Sequence, residues 1–263
     1  MPEENEVKSE SLTEDEMGET ESYGLMSRII GVFIEPSKAF KHIAEKPEIW
    51  GPMLFMFVIL LVSSLLTMNK QVDLAVQTAS EMMSEKGLPA DTIDQATMVT
   101  IWTTRFQSLL QTIGVLLIWL VFSLIVFIVG LILGQEANYK SSLAVVGYSS
   151  LPGILIKSGF LSTILLMTRD WSSTAEFQEA VMRSSLGLYT FLGHMEINNN
   201  LKAVFATIDP FLIWGIILMA IGLKFANRTK MSNAWTTTII CNIVYIAAMI
   251  PLIAPVIKTL SGE

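Results

Sequence analysis

Apolar and polar positions alternate along this chain in blocks rather than residue by residue. Spanning the hydrocarbon core of a bilayer as a helix takes roughly 20 predominantly apolar residues, so uncharged runs of that length are the units to count. Pro52 to Met68 is one such run, extended at its start by Ile49, Trp50 and Gly51, and Phe106 to Gln135 contains no charge at all. Ser141 to Met167 is broken only by Lys157, and Met231 to Ile257 is uncharged, with Pro251 and Pro255 expected to kink or end its last turns. A shorter candidate, Asp209 to Leu223, is lengthened by apolar residues on both sides. The pattern predicts an all-α, polytopic integral membrane protein with five transmembrane helices, at about 50–68, 106–134, 141–167, 205–225 and 232–257. The number falls to four if the segment at Asp209 is a re-entrant or core helix.

The polar blocks between these runs are patterned too. In Lys70 to Arg105, Val72, Val76, Ala79, Met82 and Met83 recur at helical spacing until Gly87, Leu88 and Pro89 break the helix, and a second helix is expected to feed into the next span. Between spans three and four, Ser173 and Glu176 match a capping box, and Phe177, Val181 and Met182 share the side that follows. Both loops predict amphipathic helices lying at the membrane surface. Ahead of the first span, Pro36 suits a first helical turn and Ala39, Phe40, Ile43 and Ala44 fall on one side. This predicts an N-terminal interfacial amphipathic helix that leaves Lys38, Lys41 and Lys46 free to face anionic headgroups.

Composition agrees with the pattern: of 263 residues, 52% are hydrophobic and 16% charged, far from the balance of a soluble domain. Net charge is −7, but residues 1–22 read as a disordered acidic tail that holds nine acids against Lys8. Acidity is therefore a property of the tail, and the membrane domain at 25–260 is close to neutral. The polar, acidic N-terminus lacks the basic and apolar regions of a signal peptide, so the first apolar block is expected to be a retained anchor. Basic residues divide nine to seven between the two sides, but "KFANRTK" (Lys224 to Lys230) packs three into a short segment. Dense charge near span ends orients insertion, which predicts a cytoplasmic N-terminus. On that orientation the glycosylation pattern at Asn227 faces the cytosol.

Candidate chemistry is sparse. One cysteine, Cys241, and two histidines, His42 and His194, do not make a zinc site, and no phosphate loop, HExxH or GxSxG pattern is present. No cofactor, metal or nucleic-acid partner is expected. Ionisable groups at membrane depth are where function is sought first. Lys157 and Asp209 qualify, and on the five-span layout both fall in the same half of the bilayer, as a candidate intramembrane polar pair. Asp209 before Pro210 also fits an N-cap with a first-turn proline, and Lys157 is within reach of the interface. Gly130 and Gly134 form a GxxxG pattern that allows close helix approach. Pro152 and Gly153, preceded by Ser149 and Ser150, predict a bend whose freed carbonyls the serines satisfy.

Three stretches together carry a resemblance: "VFIEPSKAFKHIAEKPEIWGPML" from Val32, "YKSSLAVVGYSSLPGILI" from Tyr139 and "IDPFLIWGIILMAIGLKF" from Ile208. In order and spacing, this sequence resembles the Yip1 domain family in its bacterial form. The resemblance implies a five-span fold over about residues 25–260, placed in a bacterial or archaeal cell membrane. Its eukaryotic members associate with small prenylated GTPases and vesicle-forming machinery, which bacterial relatives lack, and the family supplies no catalytic residue to carry over. The expected function is therefore a non-enzymatic scaffold or adaptor whose partners are the lipid bilayer and other membrane proteins. A small transporter or channel using Lys157 and Asp209 is the alternative. An enzyme is the weakest reading, since it needs Asp170, Glu176, Glu179 and Glu196 to converge.

Overall fold

A computed structural model describes residues 24–261, which are helical almost throughout, with no strand among them. The acidic stretch at 1–22 lies outside the described residues. Two short helices, α1 (Leu25–Ile34) and α2 (Pro36–Glu45), precede α3 (Trp50–Glu85) and α4 (Ala90–Ile132). The third crossing is composite: α5 (Tyr139–Ser149), a π-helical segment (Pro152–Leu161) and α6 (Ser162–Thr168). Three short helices follow, α7 (Thr174–Ser184), α8 (Leu188–Leu192) and α9 (Asn199–Thr207), and then α10 (Pro210–Ala226) and α11 (Met231–Ser261). Four crossings, α3, α4, α5 to α6, and α11, are long and apolar enough to span a membrane, and α9 with α10 makes a fifth if that bent pair is one span.

The bend between α9 and α10 is 59°. At 1.5 Å per residue the 17 residues of α10 reach about 25 Å, short of a hydrocarbon layer of about 30 Å, so a fifth crossing needs α9 as well as α10. The break occurs where sequence chemistry demands it, because Pro210 has no N–H for the turn before it and Asp209 prefers the cap.

Lys70 to Arg105 does not lie along the membrane surface as its amphipathic pattern predicted. α3 runs without interruption for 36 residues and α4 for 43, so the polar stretches continue the two spans and turn only at Gly87 to Pro89. Their packing explains this. Val72 and Leu74 are buried, and Leu74 sits with Leu166 and Trp171 in a small cluster on the hairpin side of the bundle.

The main core lies toward the opposite side, where α2, α5 and α10 meet. Phe40, Val145, Tyr148, Leu218 and Leu223 are almost fully buried there. Gly222 makes the approach of α10 possible, since a Cβ there would stand 2.6 Å from Val145 Cγ1 and 2.9 Å from Phe40 Cδ1. α2 is amphipathic, as its spacing predicts, but its apolar face is covered by the bundle, with Ala39 and Phe40 at 0% exposure. Lys38, Lys41 and Lys46 are exposed, with Glu35 3.7 Å from Lys38. The lipid-facing stripe in this region belongs instead to α1, through Met26, Ile30 and Ile34.

The glycine pair at the end of α4 divides its work. Gly130 allows close approach, with Ala137 and the Asn227 amide against it. Gly134 (φ +69°) lies beyond the helix and stops it: its N–H bonds to the Leu131 carbonyl and that of Gln135 to the Gly130 carbonyl, a Schellman closure. Gln135 then ties this turn to the α10–α11 turn, donating to Thr237 Oγ1 at 2.6 Å and accepting from Asn227 Nδ2 at 2.8 Å. Asn227 is 1% exposed, so its side chain is no glycan acceptor in the folded protein.

Truncating Phe40 to Ala should lower stability by about 3–5 kcal/mol, and Gly134→Ala by about 1 kcal/mol through its left-handed backbone. Lys41→Ala should change little. Thermal melting of the detergent-solubilised protein checks all three, and a Phe40→Ala melt equal to wild type would contradict the covered face of α2.

Candidate intramembrane site

Lys157 lies in the π-helical segment, whose wider turn is established just after Pro152. Proline at 152 offers no N–H to the preceding turn, and the bend predicted at Pro152 and Gly153 takes the form of ten π-helical residues. The serines before it bond to the backbone, Ser149 Oγ to the Val146 carbonyl at 3.1 Å and Ser150 Oγ to the Gly147 carbonyl at 2.9 Å. At the far end, the Ser162 hydroxyl bonds to the Lys157 carbonyl at 2.9 Å.

Asp209 sits at the break between α9 and α10 and is only 3% exposed. Its Oδ1 accepts from the Leu212 N–H at 2.8 Å, capping α10, and its Oδ2 accepts from Lys157 Nζ in an ion pair. The structure thus brings together the two ionisable residues at membrane depth, each on a segment where the backbone departs from a regular α-helix. The Gly187 turn packs beside the break, where a Cβ would stand 2.7 Å from the Ile208 carbonyl oxygen, and the Leu188 N–H donates to that oxygen at 3.0 Å. The discontinuity is therefore enclosed by protein, the condition under which irregular backbone is tolerated at this depth.

Two cavities meet at Lys157 and Ser158. The larger, about 600 Å³, extends from this point toward the α3–α4 hairpin. Ser63, Thr67 and Gln71 of α3 and Gln107, Ser108 and Gln111 of α4 line it. These groups partly bond to one another: Gln71 Nε2 donates to Thr67 Oγ1 at 2.7 Å, and Ser108 Oγ to Gln71 Oε1 at 3.1 Å. The smaller, about 370 Å³, runs the other way, toward the bilayer middle, past Trp119, Phe122, Ile216 and Met219. Among the described residues, Lys157 is the one charged side chain lining the larger cavity, and Lys157 with Asp209 are the two lining the smaller.

α7 covers the larger cavity with Phe177, Gln178, Val181 and Met182. The apolar side expected to lie in the membrane surface faces the protein's own cavity. Ser173 caps α7, accepting from the Glu176 N–H at 3.2 Å, while the Glu176 carboxylate reaches back to the Ser172 N–H and hydroxyl rather than to Ser173. Those two hydrogen bonds from Ser172 hold the Glu176 carboxyl below its ordinary pKa.

The carboxylates proposed for an enzyme do not converge. Asp170 pairs with Lys70, Glu176 with Arg169 and Glu179 with Arg183, each at the surface, and Glu196 is exposed on its own turn. No group of three metal-ligating side chains occurs among the described residues. Sequence reading also passed over Arg28, which is 8% exposed and ties the start of α1 to the chain before α3 through the Lys46 carbonyl (3.1 Å) and Glu48 (3.2 Å). Arg28, inside the apolar helix α1, counted in the sequence only toward orientation, and nothing local marked it as buried.

A multi-pass helical bundle with an internal ion pair between a π-helical crossing and a bent helix pair defines a polytopic membrane protein. The Yip1 domain model matches residues 30–254, and the chain belongs to the Yip1 domain family. It is similar to "Membrane protein YknW" of Bacillus subtilis (strain 168), 25% identical over 212 residues that cover 81% of this chain and 84% of that one. No solved structure matches.

Asp209→Ala removes both the cap and the ion pair, whereas Asp209→Asn keeps a capping oxygen. The alanine variant should therefore be the less stable by about 1 kcal/mol, read as melting temperature in detergent. The Glu176 capping contribution should be present above the ordinary carboxyl pKa and lost as pH falls through its lowered folded value. Hydrogen exchange at the start of α7 should accelerate only below that range, and Glu176→Gln should lessen the pH dependence.

Proposed function

We propose that this protein is a non-enzymatic membrane adaptor that holds other membrane proteins and lipid against its spans, with its N-terminus in the cytoplasm of a bacterial or archaeal cell. The observation that carries the reading is the α3–α4 hairpin. Exposed Trp102 stands near Arg105, and Met98 and Val99, both more than 60% exposed, lie about 10 Å farther along α4, with Met82 exposed on α3. Apolar side chains placed beyond the charged residues Lys70 and Arg105 gain nothing from hydrocarbon and are suited to a protein partner. Exposed Lys38, Lys41 and Lys46 support contact of the opposite side with anionic headgroups.

A second reading, passage of a small solute, is favoured by the Lys157–Asp209 pair at the meeting of two cavities, because ionisable groups at membrane depth mark substrate paths in many transporters. The adaptor reading expects reconstituted vesicles to show no solute flux above protein-free vesicles. It also expects Val99→Glu and Trp102→Ala to reduce the co-purification of partner membrane proteins from mild detergent by about tenfold, with melting temperature unchanged. Undiminished co-purification by both variants would contradict it, and flux abolished by Lys157→Met would establish the second reading in its place.

A further inference from the structure

The two cavities differ in chemistry, and they are stacked along the membrane normal. From the N-terminal-side ends of their crossings, Lys157 and Asp209 lie about 25 Å into the bilayer, in the half nearer the hairpin. Above them the larger cavity extends from Leu60 to Ala75, about 22 Å along α3, and the hydroxyls and amides of α3 and α4 share its wall with apolar side chains such as Leu74, Leu166 and Val181. Below them the smaller one is lined mostly by apolar side chains down to Phe122 and Met219. Polar at interface depth and apolar toward the midplane is the polarity profile of a lipid molecule in the hairpin-side leaflet.

The mouth has the matching position. Gln107 and Gln111, one turn apart on α4, line the larger cavity and are exposed, as is Leu252 across from them on α11 at 61%. Both glutamines fall within the uncharged apolar run of α4, so the opening between α4 and α11 faces lipid. The side chains of Gln107, Gln111, Ser158 and Gln178 make no hydrogen bond to protein among the described residues, and their amides and hydroxyl are free for an occupant.

Charge decides the headgroup. Lys157 is already neutralised by Asp209, and among the described residues no other charged side chain lines either cavity. An anionic phosphate entering here would meet no free cation among the described residues and would have to give up its hydration, at a cost that hydroxyls and amides offset poorly. An uncharged headgroup rich in hydroxyls would meet donors and acceptors on both α3 and α4, in a volume within the range of small-ligand sites. We propose that the joined cavities bind one molecule of an uncharged, hydroxyl-rich lipid, a hexosyl diacylglycerol in chemical class, with its headgroup among Gln107, Gln111 and Gln71 and an acyl chain passing Lys157 into the crevice beside Ile216. This internal occupant goes beyond the adaptor reading, whose protein-partner contacts lie on the hairpin surface.

The test uses the full chain in phosphatidylcholine nanodiscs containing equal amounts of monoglucosyl diacylglycerol and phosphatidylglycerol with the same acyl chains. After mild-detergent release, native mass spectrometry should show one glucosyl lipid per chain, enriched about tenfold over phosphatidylglycerol. The glucosyl lipid should also raise the melting temperature of the unsubstituted protein while phosphatidylglycerol does not, a readout that needs no variant. The enrichment should disappear in the double variant Gln107→Leu, Gln111→Leu, and in Ile216→Trp, which fills the crevice, and persist in Ile128→Ala on the lipid-facing side of α4. Equal or greater retention of phosphatidylglycerol would overturn the proposal, as would enrichment that survives the double glutamine variant. Competition by methyl glucoside as effective as by the lipid would overturn it in favour of a soluble solute, while leaving the adaptor reading to its own test.

Discussion

In a hydrocarbon layer a helix can be interrupted only where the backbone groups set free find partners, and here Asp209 is the partner. One carboxylate oxygen closes the first turn of α10 and the other receives Lys157. The first bond caps α10 where the chain breaks from α9, and the second makes a buried carboxylate tolerable. Because Lys157 belongs to the π-helical segment, the same contact fixes the two irregular crossings against each other. Lys157, held by this contact, stands where the two cavities meet.

Span existence was legible from the apolar runs, since hydrocarbon imposes its thickness on the sequence directly. What the flanking polar segments do was less so. A 3.6-residue apolar stripe states that a helix has one face to bury, and it does not state against what. The stripe in α2 meets α10, the one in α7 meets the cavity, and Val72 begins a contact surface on a helix that never leaves its span. In each case the pattern foretold a helix and a protein surface took the place of lipid.

The site was partly legible as well. Lys157 and Asp209 stood out because charge at membrane depth is rare. The cavity residues did not, although their signal was present: Ser63, Thr67 and Gln71 on α3, and Thr104, Ser108, Gln111 and Thr112 on α4, repeat at helical spacing through or beside apolar runs. Each residue alone is tolerable in a span, so only the pairing of the two stripes across α3 and α4 turns them into a wall, and that pairing is tertiary. Gly134 shows the converse. Its spacing from Gly130 matches a helix-packing pattern, while its left-handed backbone makes it a helix stop.

The coupling between the α9–α10 break and the π-helical crossing holds the bundle's two irregular segments together. A double-mutant cycle with Lys157→Met and Asp209→Asn, read as unfolding free energy in a fixed detergent, measures it most directly, because the capping oxygen is kept throughout. The ion pair described here predicts that the two changes are strongly non-additive, with a coupling energy of about 2 kcal/mol or more and the double variant recovering much of the stability lost by either single one. Additivity within about 0.5 kcal/mol would mean that the two residues do not sense each other, and would contradict it.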